Sequence, residues 1–320
     1  RLLCFRGLGY DSCMISQSTI QLPPPSYQEH TWNHRGLNLS FYSWGTPSQL
    51  LPTLIFLHGW LDHGTSWNTV GHRLSQLGYH CLAIDHRGHG HSDHIPSYDE
   101  YHFADYIADL QTFIIEHNIE NFVLIGHSMG GTIASIYSAL AKHSPLHCIL
   151  IDGLGPKHET PKEATHRLKT HLSQRRRVSS HRNMSFETAC AKLHRAHPFL
   201  STTSIQQECE RLTVPVLLND TNDSSTVVWR WDPRHRNKSA IGFSLPRFLD
   251  LLTHISCPVD CIFGKDSWYL QLTDLPSRLK AISTLNETIH LPSGHSPHLE
   301  CPELLVAAIR NALQKTQTTE

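Results

Sequence analysis

The segment 122–131 constrains the fold more than any other part of the sequence. It reads Phe-Val-Leu-Ile-Gly-His-Ser-Met-Gly-Gly, a buried-type strand that runs into Gly126-x-Ser128-x-Gly130 and then into a helix-like stretch. A serine in a sharp strand-to-helix turn must adopt a strained backbone, and side chains two residues away on either side would collide, so glycine is required there. The turn would expose Ser128 Oγ at a helix N-terminus, where backbone N–H groups can stabilise a developing oxyanion.

Short β-type apolar runs alternate with longer amphipathic stretches on both sides of this segment. The pattern predicts strands over residues 39–43, 53–58, 80–85, 122–126, 147–152, 259–263 and 287–291. It predicts helices over residues 67–77, 101–117, 129–143 and 302–313. Strands that alternate with helices form βα units, so we expect an α/β fold with a mainly parallel central sheet flanked by helices.

The alternation stops between residues 155 and 256, where charged residues, histidine and tryptophan become dense. We interpret this segment as a mostly helical cap inserted between two parts of one core, residues 14–154 and 257–320. Residues 1–13 show no clear pattern and Met14 fits a natural start, so residues 1–13 are set apart as an extension. A length of 320 residues is enough for one large domain with such an insertion.

The charge balance and the cysteines narrow the classes of partner. With 27 Lys and Arg against 28 Asp and Glu, the formal net charge is −1, which argues against nucleic acid because phosphate binding needs a basic excess. No apolar run approaches the ~18 residues that span a bilayer. Nine scattered cysteines without a CxxC pair predict neither a disulfide framework nor a thiolate zinc site. We therefore expect a cytoplasmic protein that acts on a small molecule, with organellar targeting by the N-terminal segment left open and no prediction of oligomeric state.

Ser128 needs two partners, because a serine hydroxyl is a weak nucleophile that requires a general base, itself oriented by an acid. For this architecture the chain order is Ser, Asp or Glu, His. The predicted strand 259–263 runs into Gly264-Lys265-Asp266, and the predicted strand 287–291 runs into a loop that ends on Gly294-His295. A histidine in the loop before the last helix can reach over the sheet, so we predict His295 as the base for Ser128.

Four motifs in a fixed order make the sequence resemble the α/β-hydrolase superfamily over about residues 38 to 315. They are His58-Gly59-Trp60, Asp85-x-Arg87-Gly88-x-Gly90-x-Ser92, Gly126-His127-Ser128-Met129-Gly130-Gly131 and Gly294-His295. Within that superfamily, residues 58–62 and 229–234 are similar to the serine hydrolase-like esterase group. The resemblance implies a serine hydrolase that cleaves a small to medium apolar carboxylic ester through an acyl-enzyme, with no cofactor and no metal.

The resemblance also assigns roles around the nucleophile. In this family the residue after His-Gly and the residue after the nucleophile each contribute an oxyanion-hole N–H, which implies the backbone amides of Trp60 and Met129. Substrate choice would lie in the cap, where Trp229 and Trp231 are candidates for an apolar pocket together with Trp268 beside the acid loop. Packing in the core of the cap is an equally good interpretation of the two cap tryptophans.

The acid loop departs from the family pattern. That loop usually reads Gly-x-x-Asp, whereas Gly264-Lys265-Asp266 places the acid one residue early. Asp152 is the rival, because it ends the strand after the nucleophile helix and some members of the fold supply the acid from there. Chain order and strand-end placement favour Asp266, and both assignments stay open. The departure also keeps open a catalytically silent binding protein on the same fold.

The sequence contains 26 histidines, and several of them lie in or beside the motifs described above. His58 and His127 flank catalytic positions, and we expect them to be packed, hydrogen-bonded side chains rather than bases. The stretch His89-x-His91-x-Asp93-His94 spells HxHxDH, a two-metal ligand pattern of the metallo-β-lactamase family. It overlaps the Asp-x-Arg-Gly motif of the hydrolase pattern, and chance clusters are expected at this histidine content, so metal-dependent hydrolysis is the less favoured alternative.

Overall fold

The computed structural model describes residues 27–175, 179–216 and 226–317. The predicted extension, residues 1–13, lies outside the described residues. The strands are β1 (Gln28–His34), β2 (Leu37–Trp44), β3 (Thr53–Leu57), β4 (Cys81–Ile84), β5 (Phe122–His127), β6 (His147–Ile151), β7 (Met184–Ser185), β8 (Thr213–Pro215), β9 (Thr226–Trp229), β10 (Val259–Gly264) and β11 (Leu285–Leu291). The helices are α1 (Asn68–Ser75), α2 (Phe103–Glu116), α3 (Met129–Leu140), α4 (Pro161–Gln174), α5 (Phe186–Ala196), α6 (Thr202–Leu212), α7 (Leu245–Thr253), α8 (Leu275–Ala281), α9 (Pro297–Glu300) and α10 (Pro302–Gln317).

The central sheet has eight strands in the order β1-β2-β4-β3-β5-β6-β10-β11. The β1/β2 and β2/β4 pairs are antiparallel, and all other neighbours are parallel. The predicted mainly parallel α/β sheet is confirmed, and every predicted strand lies in it. Strand β1 was not predicted, because its sequence QEHTWNH is largely polar and only Trp32 is buried, as suits an edge strand.

The sheet is covered on both faces, which explains why its inner strands are apolar along their whole length. Along β5, Phe122 and Leu124 belong to one buried cluster and Val123 and Ile125 to another, because successive side chains of a strand point to opposite faces. The first cluster also takes in residues of α2, α3 and α7, and the second takes in residues of α1 and α10. The carboxyl ends of the parallel strands are therefore held between two packed helical layers.

The segment between β6 and β10 contains α4 to α7 and a small antiparallel sheet in the order β7-β9-β8. It has a buried cluster of its own, which includes Leu193, Ile205 and Val227. Its last helix, α7, differs from the rest, because Phe248 and Leu252 pack into the main core. The described part of the segment thus holds three short strands besides the predicted helices, and they were not predicted because they are only two to four residues long.

Residues 229–234 fasten this inserted segment to the core. The Asp232 N–H donates to Gly88 O at 2.8 Å, and Tyr101 Oη donates to the Asp232 carboxylate at 2.9 Å. The Arg234 guanidinium donates to the same carboxylate and to Pro96 O. The Asp-Pro-Arg part of the sequence motif is therefore structural. Among the described residues, no helix combines the length and the apolar character needed to span a membrane.

Candidate active site

The turn between β5 and α3 has the strained geometry that its glycines predict. Ser128 has φ 52° and ψ −112°, a conformation that costs a residue with a side chain about 1–3 kcal/mol. A Cβ on Gly126 would lie 2.4 Å from Gly130 O, and one on Gly130 would lie 2.1 Å from Leu57 O. A side chain at either position would force the neighbouring backbone to shift, so the turn favours glycine on both sides of the serine.

His295 lies against the serine. Its Nε2 is 3.1 Å from Ser128 Oγ, which is within hydrogen-bonding distance. The loop that carries His295 follows β11 and is held by Glu300, whose carboxylate accepts a hydrogen bond from the Gly294 N–H. The His295 side chain is 23% exposed, so the pair is open to a substrate from one side.

The carboxylate that reaches His295 belongs to Asp152. Its Oδ2 is 3.3 Å from His295 Nδ1, and the side chain is fully buried just beyond the end of β6. Burial raises the pKa of Asp152 above its ordinary value, while hydrogen bonds with His295 and Ser267 act in the opposite direction. In this geometry His295 Nδ1–H can donate to the Asp152 carboxylate, which leaves Nε2 as the acceptor that faces Ser128 Oγ.

Asp266, the acid favoured from the sequence, is not brought to His295. Its side chain is exposed, and its backbone N–H donates to Ser293 O at 3.0 Å. Ser267 stands where the Gly-x-x-Asp pattern would place the acid, and its Oγ lies 3.4 Å from His295 Nδ1. The one-residue displacement thus puts the Ser267 hydroxyl at the usual acid position. The expected contact between Asp266 and His295 is absent, and Asp152 makes the contact instead. The contact of Ser267 was missed, because the pattern directed attention to the carboxylate beside it.

The two predicted oxyanion amides belong to backbone next to the nucleophile. Met129 is the first residue of α3, so its N–H has no acceptor within the helix. Trp60 follows Gly59, where an added Cβ would lie 3.4 Å from Ser128 Cβ, so this backbone passes close to the serine. The Met129 side chain packs against the core, whereas the Trp60 side chain is 52% exposed. Their assignment as oxyanion donors stays a prediction.

His58 and His127 are buried and hydrogen bonded. His58 Nδ1 donates to Gly59 O at 2.7 Å, and its Nε2 accepts from the His86 N–H at 3.0 Å. His127 Nε2 lies 2.7 Å from His295 O, to which it donates. Burial lowers the pKa of both imidazoles. Both therefore support the backbone around the site, as the sequence interpretation expects.

Only one of the three predicted pocket tryptophans contacts the site. The Trp268 ring centroid is 5.0 Å from that of His295, and its side chain is 48% exposed. Trp229 and Trp231 instead stack on each other and line a cavity of about 410 Å³ in the inserted segment, whose described lining includes neither Ser128 nor His295. The Asp-Pro-Arg anchor fixes this strand end over Gly88, and the contacts of the two tryptophans fit the alternative interpretation, packing within the cap; a role in substrate binding stays a prediction.

Phe199, which the sequence did not single out, lies near the His295 loop. It is 55% exposed, and a Cβ on Gly294 would meet its ring at 3.0 Å. No motif marks it, because it comes from the inserted segment, where local pattern carries little information.

The HxHxDH stretch does not converge in the described part of the chain. His89 is buried and stacks on His235, whereas His91 is exposed and pairs with Glu29. The Asp93 carboxylate accepts from the Asn38 N–H at 2.8 Å, and His94 Nε2 lies 3.0 Å from Arg230 O. These side chains belong to separate contacts, so the stretch does not form a shared metal site.

Comparison with known proteins agrees with this arrangement. The family described as alpha/beta hydrolase fold matches residues 52–302. A serine hydrolase-like protein of Danio rerio is 29% identical over 286 residues, which cover 85% of this chain and 83% of the relative. A serine hydrolase-like protein of Dictyostelium discoideum is 26% identical over 277 residues, covering 83% of this chain and 75% of the relative.

Solved structures show the same architecture. The thioesterase domain from the curacin biosynthetic pathway superposes with a TM-score of 0.76 at 25% identity, covering 89% of this chain and 99% of that domain. A hypothetical protein from Pseudomonas aeruginosa PAO1 superposes with a TM-score of 0.78 at 25% identity, covering 90% of this chain and 99% of its own.

Proposed function

The chain belongs to the α/β-hydrolase fold family, and we propose that it is a serine-dependent hydrolase that cleaves a small to medium apolar carboxylic ester through an acyl-enzyme. The observation that carries the proposal is the 3.1 Å contact between Ser128 Oγ and His295 Nε2 at a strained strand-to-helix turn. A serine at positive φ costs stability, and such strain is typical of functional sites. An activated serine hydroxyl accounts for it here.

The proposed reaction has two stages. Ser128 Oγ attacks the ester carbonyl carbon, its proton passes to His295 Nε2, and the negative oxygen of the tetrahedral intermediate is held by the Trp60 and Met129 N–H groups. His295 then gives that proton to the leaving alcohol oxygen, and the acyl-enzyme remains. Water next attacks the acyl carbon after losing a proton to His295, and the proton returns to Ser128 Oγ as the carboxylic acid leaves. Protons and bonds balance without a cofactor.

Asp152 is the acid of this proposal. Its buried carboxylate lies 3.3 Å from His295 Nδ1, and there it favours the imidazolium that forms as Ser128 loses its proton. Ser267 adds a hydroxyl at the same nitrogen, at 3.4 Å. The displaced acid loop therefore gives no reason to prefer a silent binding protein.

The apolar character of the substrate rests on exposed aromatic side chains around the site. Trp60, Phe199 and Trp268 are each about half exposed and lie beside Gly59, Gly294 and His295 respectively. Exposed aromatics grouped at a reactive centre are typical of surfaces that receive an apolar ligand. Phe199 comes from segment 155–256, so we keep the proposal that this segment is a cap on a core formed by residues 14–154 and 257–320.

The test is turnover of a panel of p-nitrophenyl esters of increasing acyl length, with matched thioester and amide substrates. The proposal expects ester turnover by the wild type, a covalent adduct of acyl mass in intact-mass spectra, and neither in Ser128→Ala. Turnover that persists in a folded Ser128→Ala variant would overturn the acyl-enzyme mechanism. Turnover of the thioester or amide alone would overturn the ester assignment and keep the nucleophile.

A further inference from the structure

Three side chains on different elements converge behind the His295 loop. Asp62 lies in the loop after β3, His127 ends β5, and His298 lies in α9; one ligand atom from each is within 4.8 Å of the others. His127 and His298 are only 4% and 1% exposed, while the Asp62 side chain is 18% exposed. Asp62 is therefore the member of the three that is most accessible to solvent.

The tautomer of His127 is fixed by its one hydrogen bond. Nε2 faces the carbonyl oxygen of His295 at 2.7 Å, and a carbonyl can only accept, so Nε2 carries the proton. Nδ1 then bears a lone pair, and this buried atom has no hydrogen-bond partner among the described residues. A histidine whose second ring N–H is held by a backbone carbonyl is the usual form of a metal-ligating imidazole.

His298 and Asp62 are the other two candidate ligands. The His298 ring stacks on Trp67 with centroids 4.6 Å apart, which fixes its plane. Its Nε2 lies 3.5 Å from Asp62 Oδ2, longer than an ordinary hydrogen bond to a carboxylate. Ligand atoms of a tetrahedral zinc ion with bonds of about 2.1 Å are about 3.4 Å apart, so this pair already has the spacing of two ligands.

We propose that Asp62, His127 and His298 bind a divalent transition-metal cation, with Zn²⁺ preferred and water in the remaining position. Two imidazole nitrogens and one carboxylate favour Zn²⁺ over Mg²⁺ or Ca²⁺, which take oxygen ligands. This site is separate from the HxHxDH stretch and takes no part in the proposed hydrolysis.

Occupancy of the site has a consequence that rests on the proposed function. The His127 and His295 rings are 4.9 Å apart, so a bound dication lies close to the imidazolium that forms in the transition state. The ion and that imidazolium would carry like charges, so the ion is expected to inhibit ester turnover. Calcium or magnesium at the same concentration is expected to have no effect.

The test is metal binding itself, on chelator-treated full-length protein, by calorimetric titration with ZnCl₂ and visible absorption with CoCl₂. We expect one tight equivalent with the absorption of tetrahedral Co²⁺, and affinity at least about tenfold weaker in Asp62→Asn and His298→Gln, since even the loss of an outer partner of a ligand costs about 10–100-fold. Asp266→Asn and His254→Gln, which change exposed side chains, are the matched controls.

The outcomes separate this proposal from the hydrolase proposal. Ser128→Ala is expected to bind Zn²⁺ like the wild type, whether or not the serine is a nucleophile. Equal affinity in all variants, or an octahedral Co²⁺ spectrum, would overturn the site. If Asp62→Asn does not fold, His298→Gln and the wild-type spectrum decide the question.

Discussion

Replacing Asp152 with asparagine tests which carboxylate serves His295. The substitution keeps the shape of the side chain and removes its charge, 3.3 Å from His295 Nδ1. An amide nitrogen at that position can donate to Nδ1 and so favours the tautomer with the proton on Nε2, which cannot accept the proton of Ser128. The imidazolium of the transition state also loses its counter-charge.

The magnitude follows from the geometry. Two unit charges about 3.3 Å apart interact by about 5 kcal/mol at an effective dielectric constant of about 20. Since about 1.4 kcal/mol corresponds to a factor of ten in rate, kcat should fall about 10³- to 10⁴-fold, with little change in KM. Charge removal from Ser-His-Asp triads elsewhere has a similar effect, about 10⁴-fold.

Steady-state kinetics on the best p-nitrophenyl ester measure this loss, with Asp266→Asn as the matched control. Asp266 is exposed and has no contact with His295, so its variant should keep the wild-type kcat. Thermal unfolding of both variants establishes that each is folded. A large loss of kcat in Asp266→Asn with normal turnover in Asp152→Asn would refute the assignment.

Three further predictions concern stability and substrate. Burial raises the pKa of Asp152 in the folded state, so at any pH above the ordinary aspartate pKa of about 4 the ionised carboxylate destabilises the fold. Asp152→Asn should therefore unfold at a higher Tm than the wild type at neutral pH, and this difference should disappear below about pH 4. Gly130→Ala should lower the free energy of unfolding by about 1–3 kcal/mol in denaturant titration, because its Cβ would lie 2.1 Å from Leu57 O. Trp268→Ala should lower kcat/KM about tenfold for the longest esters and less for acetate, whereas Leu50→Ala, at a side chain 90% exposed, should change neither.

The sequence predicts correctly those features of the structure, the turn at Ser128 and the inner strands, in which sterics or burial restrict the residue types at each position. Gly126 and Gly130 are required because a Cβ at either position would lie less than 2.5 Å from a backbone oxygen. The apolar strands follow from burial on both faces of the sheet. Strand β1 lacks this signal because one side of an edge strand faces water.

The acid and the pocket depend on distances between segments far apart in sequence. Asp152 and Asp266 both follow strands that end at the same edge of the sheet, and the chain order alone does not show which of them contacts His295. The loop after Gly264 places Ser267 at the imidazole and leaves Asp266 in solvent. Likewise, Trp229 and Phe199 both lie in the inserted segment. Only the way this segment packs on the core shows that Phe199, and not Trp229, lies near the His295 loop.

The central claim is that Ser128 is an activated nucleophile, and intact-mass labelling with a fluorophosphonate probe tests it most directly. The account predicts one adduct on the wild type, none on Ser128→Ala, and strongly slowed labelling of His295→Ala and Asp152→Asn. A folded wild type that takes up no probe, or a Ser128→Ala variant that is labelled as fast as the wild type, would contradict it.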